Sequence, residues 1–257
     1  AIHLNAMPVI WDRQPHPLGF AINTKSANRS WRCALDADYE KLFAGKRSSS
    51  TRRRIKRRDK KLENSANIRF GLPDSNKAAR TVIHTMLEHQ RQRLGKSGII
   101  RLFTEKQRDF LYHLSQARNT KGEAVLLPYF LELDGELAAV MLGGYFDGTY
   151  WAMISSLFPS RQYYHLSPGD YALRATIKDT CQKGYSWFDF AAGDFDYKKN
   201  WASEVVDLGE NISAVSLKGQ LWAAGMRFRV FVKRWIKNNP GAFELAKSLR
   251  RLLFSRN

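Results

Sequence analysis

Three apolar-rich runs of strand character follow one another at residues 124–133, 137–146 and 150–157, separated by Asp134-Gly135 and Asp147-Gly148. Asp-Gly between two such runs is a strong short-range hairpin signal, so the spacing predicts a three-stranded antiparallel meander. Upstream the period is helical. Val82, Ile83, Met86, Leu87 and Gln90 mark the buried side of a helix over 74–94. Phe110, Leu111, Leu114 and Ala117 do the same over 104–118, with Thr104 as its cap. Residues 67–72 read as a strand between a turn at Asn64-Ser65 and the first of these helices.

Downstream of the meander, Ser167, Pro168 and Gly169 end an extended segment and open a helix over 168–183, with Ser167 at the N-cap and Pro168 in the first turn. Gly184 stands where a left-handed C-cap is wanted, and a short strand follows at 187–190. A strand, helix, strand crossover of this length is normally parallel and right-handed. The predicted fold is therefore α/β, with a mixed sheet, antiparallel first and parallel across the crossover helix, flanked by helices.

The ends are less regular. Short apolar pieces at 2–4, 19–22 and 31–35, broken by Pro8, Pro15 and Pro17, predict short strands. Tyr39, Leu42 and Phe43 begin a helix that stops at Gly45. A last strand is expected at 211–217, then a helix over 218–239, a break at Pro240-Gly241 and a second helix over 242–255. Both final helices place aromatic and aliphatic residues among Lys and Arg. Such a face either packs on its own domain or lies on an anionic membrane surface.

The charge sharpens this picture: 42 Lys and Arg stand against 24 Asp and Glu in 257 residues, a formal net charge of +18. Such a surface seeks anions: a phosphorylated small molecule, nucleic acid or an acidic leaflet. Cys33 and Cys181 are too few for a disulfide framework or a metal cluster, and they fit a reducing compartment. No metal is expected. No apolar run is long enough to span a bilayer, and no signal peptide is visible.

Two stretches carry candidate chemistry. A helix opening at Ser167-Pro168-Gly169 leaves its first N–H groups free and bears a partial positive charge, a suitable seat for phosphate or pyrophosphate, although such turns also occur simply as helix starts. Gly169 lets the backbone come close. The second stretch is the basic run of residues 46–62, capped from within Ser48–Ser50 or by Thr51. Arg53 and Arg57, like Arg54 and Arg58, stand four apart and repel one another in a helix. The run is either a solvated basic arm or a helix lining an anion site, and it lacks the interleaved aromatics that stack on bases. His84 and His89 lack metal-spaced partners and read as surface or core-edge residues.

The order helix, helix, meander, phosphate-type turn with helix, strand resembles the GNAT acyltransferases. The wording is similar to the CelD-like branch named for cellulose biosynthesis, relatives of the FemAB peptidoglycan aminoacyltransferases. It is carried by SSSTRRRIKRR at 48–58, LELDGELAAV at 131–140, SPGDYAL at 167–173 and FDFAAGDFDYKKNW at 188–201. The turn departs from the usual GNAT pattern, which has two glycines and an Arg or Gln.

The resemblance implies transfer of an acyl group from acetyl-CoA or another acyl-CoA to an amine, on a saccharide or envelope precursor. Ser167, Pro168, Gly169, Asp170 and Tyr171 would cradle the donor's pyrophosphate, and Arg53, Arg54, Arg57 and Arg58 would meet substrate or other anions. For the chemistry it offers Asp189 as a carboxylate between Phe188 and Phe190, Lys198 to stabilise negative charge, Tyr197 as acid to the thiolate and His165 as base. Three segments are expected: 1–47 as the remnant of an upstream lobe, 48–217 as the acyltransferase domain, and 218–257 as a basic helical extension. The implied setting is the bacterial cytoplasm, with contact to the inner face of the membrane through the C-terminal helices. Two other readings suit the charge: an aminoacyl-tRNA-dependent transferase of FemAB type, and a non-catalytic basic module on this fold that binds nucleic acid or membrane. Nucleic acid ranks below acyl-CoA as a partner.

Overall fold

The computed structural model describes residues 1–11, 14–95, 103–158, 162–239, 241–246 and 248. Strands β1 (Ile2–Pro8), β2 (Ile10–Trp11) and β3 (Gln14–Pro15) lead through a 3₁₀ turn at Gly19–Ala21 into β4 (Thr24–Ala34). Then come α1 (Tyr39–Lys46), α2 (Ser49–Ser65), β5 (Ile68–Gly71), α3 (Asn76–Gly95) and α4 (Glu105–Leu114). The meander is β6 (Leu126–Leu133), β7 (Glu136–Phe146) and β8 (Thr149–Leu157), and a 3₁₀ turn at Tyr164–Leu166 enters α5 (Pro168–Gln182). β9 (Trp187–Ala192), the single-turn α6 (Asp196–Lys199), β10 (Glu204–Ser213) and α7 (Leu217–Asn238) follow. Residues 241–246 are again helical, and most of the helix expected over 242–255 lies outside the described residues.

The chain forms two compact units, one of Cys33–Phe190 and one of Ala1–Arg32 with Ala191–Asn257. This division differs from the three consecutive segments expected from the sequence, because the leading strands associate with the chain's last quarter.

In the larger unit the strand order is β9-β8-β7-β6-β5. All neighbours are antiparallel except β8 and β9, which run parallel with Tyr150 opposite Phe188. The sheet is thus mixed, as the pattern of runs predicts. Local chemistry places its parts. Asp134-Gly135 and Asp147-Gly148 all have positive φ (54°, 83°, 47° and 66°), the geometry a two-residue hairpin requires. Ser48 caps α2 by accepting from the Thr51 N–H, and Thr104 with Gln107 forms a capping box on α4.

Neighbouring residues of β8 point to opposite faces, and they meet different helices. Ser156 hydrogen-bonds His89 of α3, whereas the Leu157 side chain abuts Gly169 of α5. The sheet is therefore covered on both faces. Val82, Ile83, Met86 and Leu87 of α3 pack with Leu111, Leu126, Phe130, Val140 and Leu142 into the core on one side.

In the smaller unit the order is β1-β10-β4, antiparallel throughout. β10 spans Glu204–Ser213, earlier and longer than the strand expected at 211–217. The reason is compositional: Glu204, Asp207, Gly209 and Glu210 interrupt its apolar positions. β4 is likewise one long strand where only 31–35 was expected, since TKSANRS carries little apolar signal and is fixed by pairing with β10. The piece at 19–22 is a 3₁₀ turn. α7 covers β10, burying Ala223 and Val230 against Ile212. Among the described residues, no helix is long and apolar enough to cross a membrane.

Candidate functional site

The start of α5 is built by an unusual backbone. Ser167 occupies the N-cap position with φ 55° and ψ 60°, in the left-handed region, and its side chain makes no capping hydrogen bond. Its carbonyl instead accepts from the Asp170 N–H (3.0 Å) and the Tyr171 N–H (3.2 Å). Pro168 has no N–H to offer. Of the first-turn donors expected to form an anion cradle, Gly169 N–H is left without a backbone acceptor among the described residues. The smallness of Gly169 serves packing: a Cβ there would stand 3.2 Å from Leu157 Cδ1, facing the sheet.

The basic run supplies cations to this turn from one side only. α2 buries Ile55 and Leu62, while Arg53, Arg54 and Arg57 point to solvent. Arg58 is turned inward and its Nη2 donates to the Asp170 carboxylate. Arg174, one turn further along α5, donates from Nε to the same carboxylate (3.1 Å) and from both Nη atoms to Asp59 (2.7 and 2.6 Å). Its side chain is only 9 % exposed. Burial works against the Arg174 charge, but the Asp59 hydrogen bonds and the two carboxylates outweigh it and raise its pKa. Burial likewise raises the nearby Tyr39 phenol and lowers Arg47. Asp170 at the third helical position also suits the α5 dipole.

Two donors of α2 remain unmet. The Nε atoms of Arg52 and Arg58 are buried without a hydrogen-bond partner among the described residues. Asp59, Arg174, Arg47, Arg52 and Tyr39 were not named individually as site residues by sequence reasoning. A signal existed for the first two: Asp59 is the lone acid within RRRIKRRDKK, and Asp170 and Arg174 are spaced i, i+4.

The other candidates belong to other elements of the larger unit or to the other unit. Asp189 of β9, between Phe188 and Phe190 in the sequence, is buried and is not without an interaction partner. His165 is exposed in the 3₁₀ turn before Ser167. In the smaller unit, Lys198 is buried, unlike a lysine of a solvated loop. Its Nζ donates to the carbonyls of Ala191 (3.1 Å) and Ala192 (3.2 Å). Ala191 is held at φ 55° and Gly193 at φ 126°, so the lysine pins a turn of unfavourable backbone. A Cβ at Gly193 would come within 3.6 Å of that Nζ. Tyr197 is exposed on α6.

One pair escaped sequence reasoning altogether. His89 Nδ1 lies 2.8 Å from the hydroxyl of buried Ser156, with the imidazole stacked on Phe158 at 4.3 Å between centroids. No linear spacing links α3 to the end of β8, so only the fold reveals it. Among the described residues, no group of three His, Cys, Asp or Glu side chains is arranged to hold a metal ion.

Residues 49–199 match the family described as the acetyltransferase (GNAT) domain. Among curated proteins, none matches this chain. Solved structures of similar shape include a conserved protein of unknown function from Bacteroides thetaiotaomicron, at 10 % identity and TM-score 0.48, covering 73 % of this chain and 60 % of that one. L-PGS from Bacillus licheniformis is similar at 12 % identity and TM-score 0.41, covering 77 % and 65 %. The C-terminal domain of a putative lysylphosphatidylglycerol synthetase from Agrobacterium fabrum is similar at 9 % identity and TM-score 0.40, covering 74 % and 61 %. The chain thus spans less than two thirds of the length of each.

Proposed function

We propose, because this chain belongs to the acetyltransferase (GNAT) domain family, that it moves an acyl group from an acyl-CoA thioester to an amine. A neutral amine attacks the thioester carbonyl, the C–N bond forms, the C–S bond breaks, and the proton lost by nitrogen balances the thiolate. The observation that carries the choice of donor is the pair of unmet Nε groups on Arg52 and Arg58, together with the free Gly169 N–H at the positive end of α5. A pyrophosphate would satisfy these donors, as buried polar groups require. Ser167 shapes this seat through its left-handed backbone, and Asp170 holds Arg58 beside it.

For proton removal the larger unit offers the buried carboxyl group of Asp189 and the His89–Ser156 pair. His165 is an exposed alternative. Lys198 and Tyr197 are given no part in the transfer, since Lys198 is committed to its own turn. An acceptor on a saccharide or envelope precursor remains the favoured class, resting on the resemblance of the sequence to the CelD-like branch.

Calorimetric titration with acetyl-CoA and with desulfo-CoA at about 0.15 M salt, where surface charges are screened beyond ~8 Å, tests the donor. Saturable binding is expected. Arg58→Met and Arg52→Met are each expected to weaken it about 10- to 100-fold, the range for loss of a charge-assisted hydrogen bond. Absence of saturable binding overturns the acyl-CoA reading in favour of an aminoacyl-tRNA donor. Binding indifferent to both arginines removes the phosphate seat from α5.

A further inference from the structure

The 22 residues of α7 present two apolar faces, and among the described residues only one of them packs on the rest of its unit. The inward face carries Ala223, Met226 and Val230, which pack with Ile212 of β10. On the opposite side Leu217, Leu221, Ala224, Phe228, Phe231 and Trp235 recur at intervals of four and three, a straight row along the helix. This row is open to solvent. Leu217 is 82 % exposed, Phe228 68 %, Phe231 63 % and Trp235 54 %. A contiguous exposed row of large apolar side chains marks a surface that meets something.

Charge decides what. From Leu217 to Asn239 there is no Asp or Glu, but there are Lys218, Arg227, Arg229, Lys233, Arg234 and Lys237. Lys237 is bound to Asp194 and Asn28, and Arg227 donates to the Ile212 carbonyl. The other four are exposed and form no ion pair among the described residues. Viewed down the axis at 100° per residue, Lys218 and Arg229 flank the apolar row on one side and Arg234 on the other, between that row and the body of the protein. Cations at those flanks reach lipid head groups while aromatic and aliphatic side chains enter the acyl boundary.

We propose that α7 docks the protein on an anionic bilayer surface, with its outer row buried in the interface and its flanking cations on acidic head groups. A second copy of the chain fits this face poorly. Two α7 helices meeting along their outer rows would bring like charges together with no carboxylate on either helix to offset them.

Cosedimentation with vesicles of phosphatidylcholine alone, and of phosphatidylcholine with phosphatidylglycerol, tests the proposal on the whole chain. Binding is expected to the anionic vesicles and to be at least about tenfold weaker to the neutral ones, since each cation near an acidic leaflet raises partitioning about fivefold. Phe228→Ser combined with Phe231→Ser and Trp235→Ser is expected to lower binding to the anionic vesicles at least about tenfold, with unchanged circular dichroism and thermal midpoint. Replacing Lys218, Arg229, Lys233 and Arg234 by Gln is expected to remove the preference for phosphatidylglycerol. Three results overturn the proposal: no binding to anionic vesicles, binding that the apolar variant retains in full, or a concentration-dependent dimer in sedimentation velocity that the apolar variant abolishes. The first means that the row meets no membrane, the second that net charge alone acts, and the third that the row is a self-association surface.

Discussion

Replacing Asp59 by Ala should be one of the most damaging single changes in the larger unit, although Asp59 sits in the middle of a basic run that looks like solvated surface. Its carboxylate takes both Nη groups of Arg174 at 2.6 and 2.7 Å, and the two side chains are 16 % and 9 % exposed. Deleting it leaves Asp170 as the one carboxylate on Arg174 among the described residues, and Asp170 is already shared with Arg58. Removing one partner of a buried pair costs about 3–5 kcal/mol, because the remaining charge stays desolvated. For a protein of this size that corresponds to a fall of roughly 6–20 °C in Tm. Arg174→Met combined with Asp59→Leu removes both charges, leaves Arg58 with Asp170, and should lose less than Asp59→Ala alone. Differential scanning calorimetry of the three proteins decides. A parent-like Tm for Asp59→Ala, or a double variant less stable than the single one, would refute the assignment of this pair as a buried clamp between α2 and α5.

Gly169→Ala is expected to stay within about 1 kcal/mol of the parent, since the helix gains from losing a glycine while Leu157, 3.2 Å from the new methyl, must shift slightly. Gly169→Leu should cost about 1–3 kcal/mol by overpacking the face toward β8, read as a lower urea midpoint. Asp194 should give the smaller unit an acid-sensitive contribution. Burial opposes its charge, but Lys237 at 3.0 Å and Trp31 at 3.2 Å outweigh burial and lower its pKa. The stabilisation is therefore present above the unfolded value of about 3.9 and is lost as pH falls through the lower folded value. Asp194→Asn should flatten the Tm-versus-pH curve over that acid range, and an unchanged curve would speak against the pairing. Cys33 and Cys181 are both buried, and burial foremost pushes the Cys181 thiol up to about 11, so iodoacetamide at neutral pH should label neither until denaturant is added.

What the sequence could reveal divides by the range of the forces involved. The meander, the crossover helix and the mixed sheet were legible because each strand carries its own apolar run and each Asp-Gly turn its own backbone requirement. The long strands Thr24–Ala34 and Glu204–Ser213 were not, because polar stretches such as TKSANRS become strand only through a partner far away in the chain. The site divides the same way. The Ser-Pro-Gly turn announced the start of α5, yet its meaning changed on folding. Ser167 acts through a left-handed backbone and not through its hydroxyl, and Gly169 is small for the sake of Leu157.

The arginine run shows why composition misleads most where it is densest. A count of charges cannot distinguish Arg58, which meets Asp170, from Arg53, Arg54 and Arg57, which meet water. The difference is the 100° step of the helix, and it is fixed by Ile55 and Leu62, the two apolar residues that choose which side of α2 turns inward. Once those two are buried, Asp59 must come in with them, and it can do so only because Arg174 stands opposite to neutralise it. The same helix thus carries a buried clamp and a solvated surface. Among its described cations on the buried side, Arg52 and Arg58 keep Nε donors without a hydrogen-bond partner.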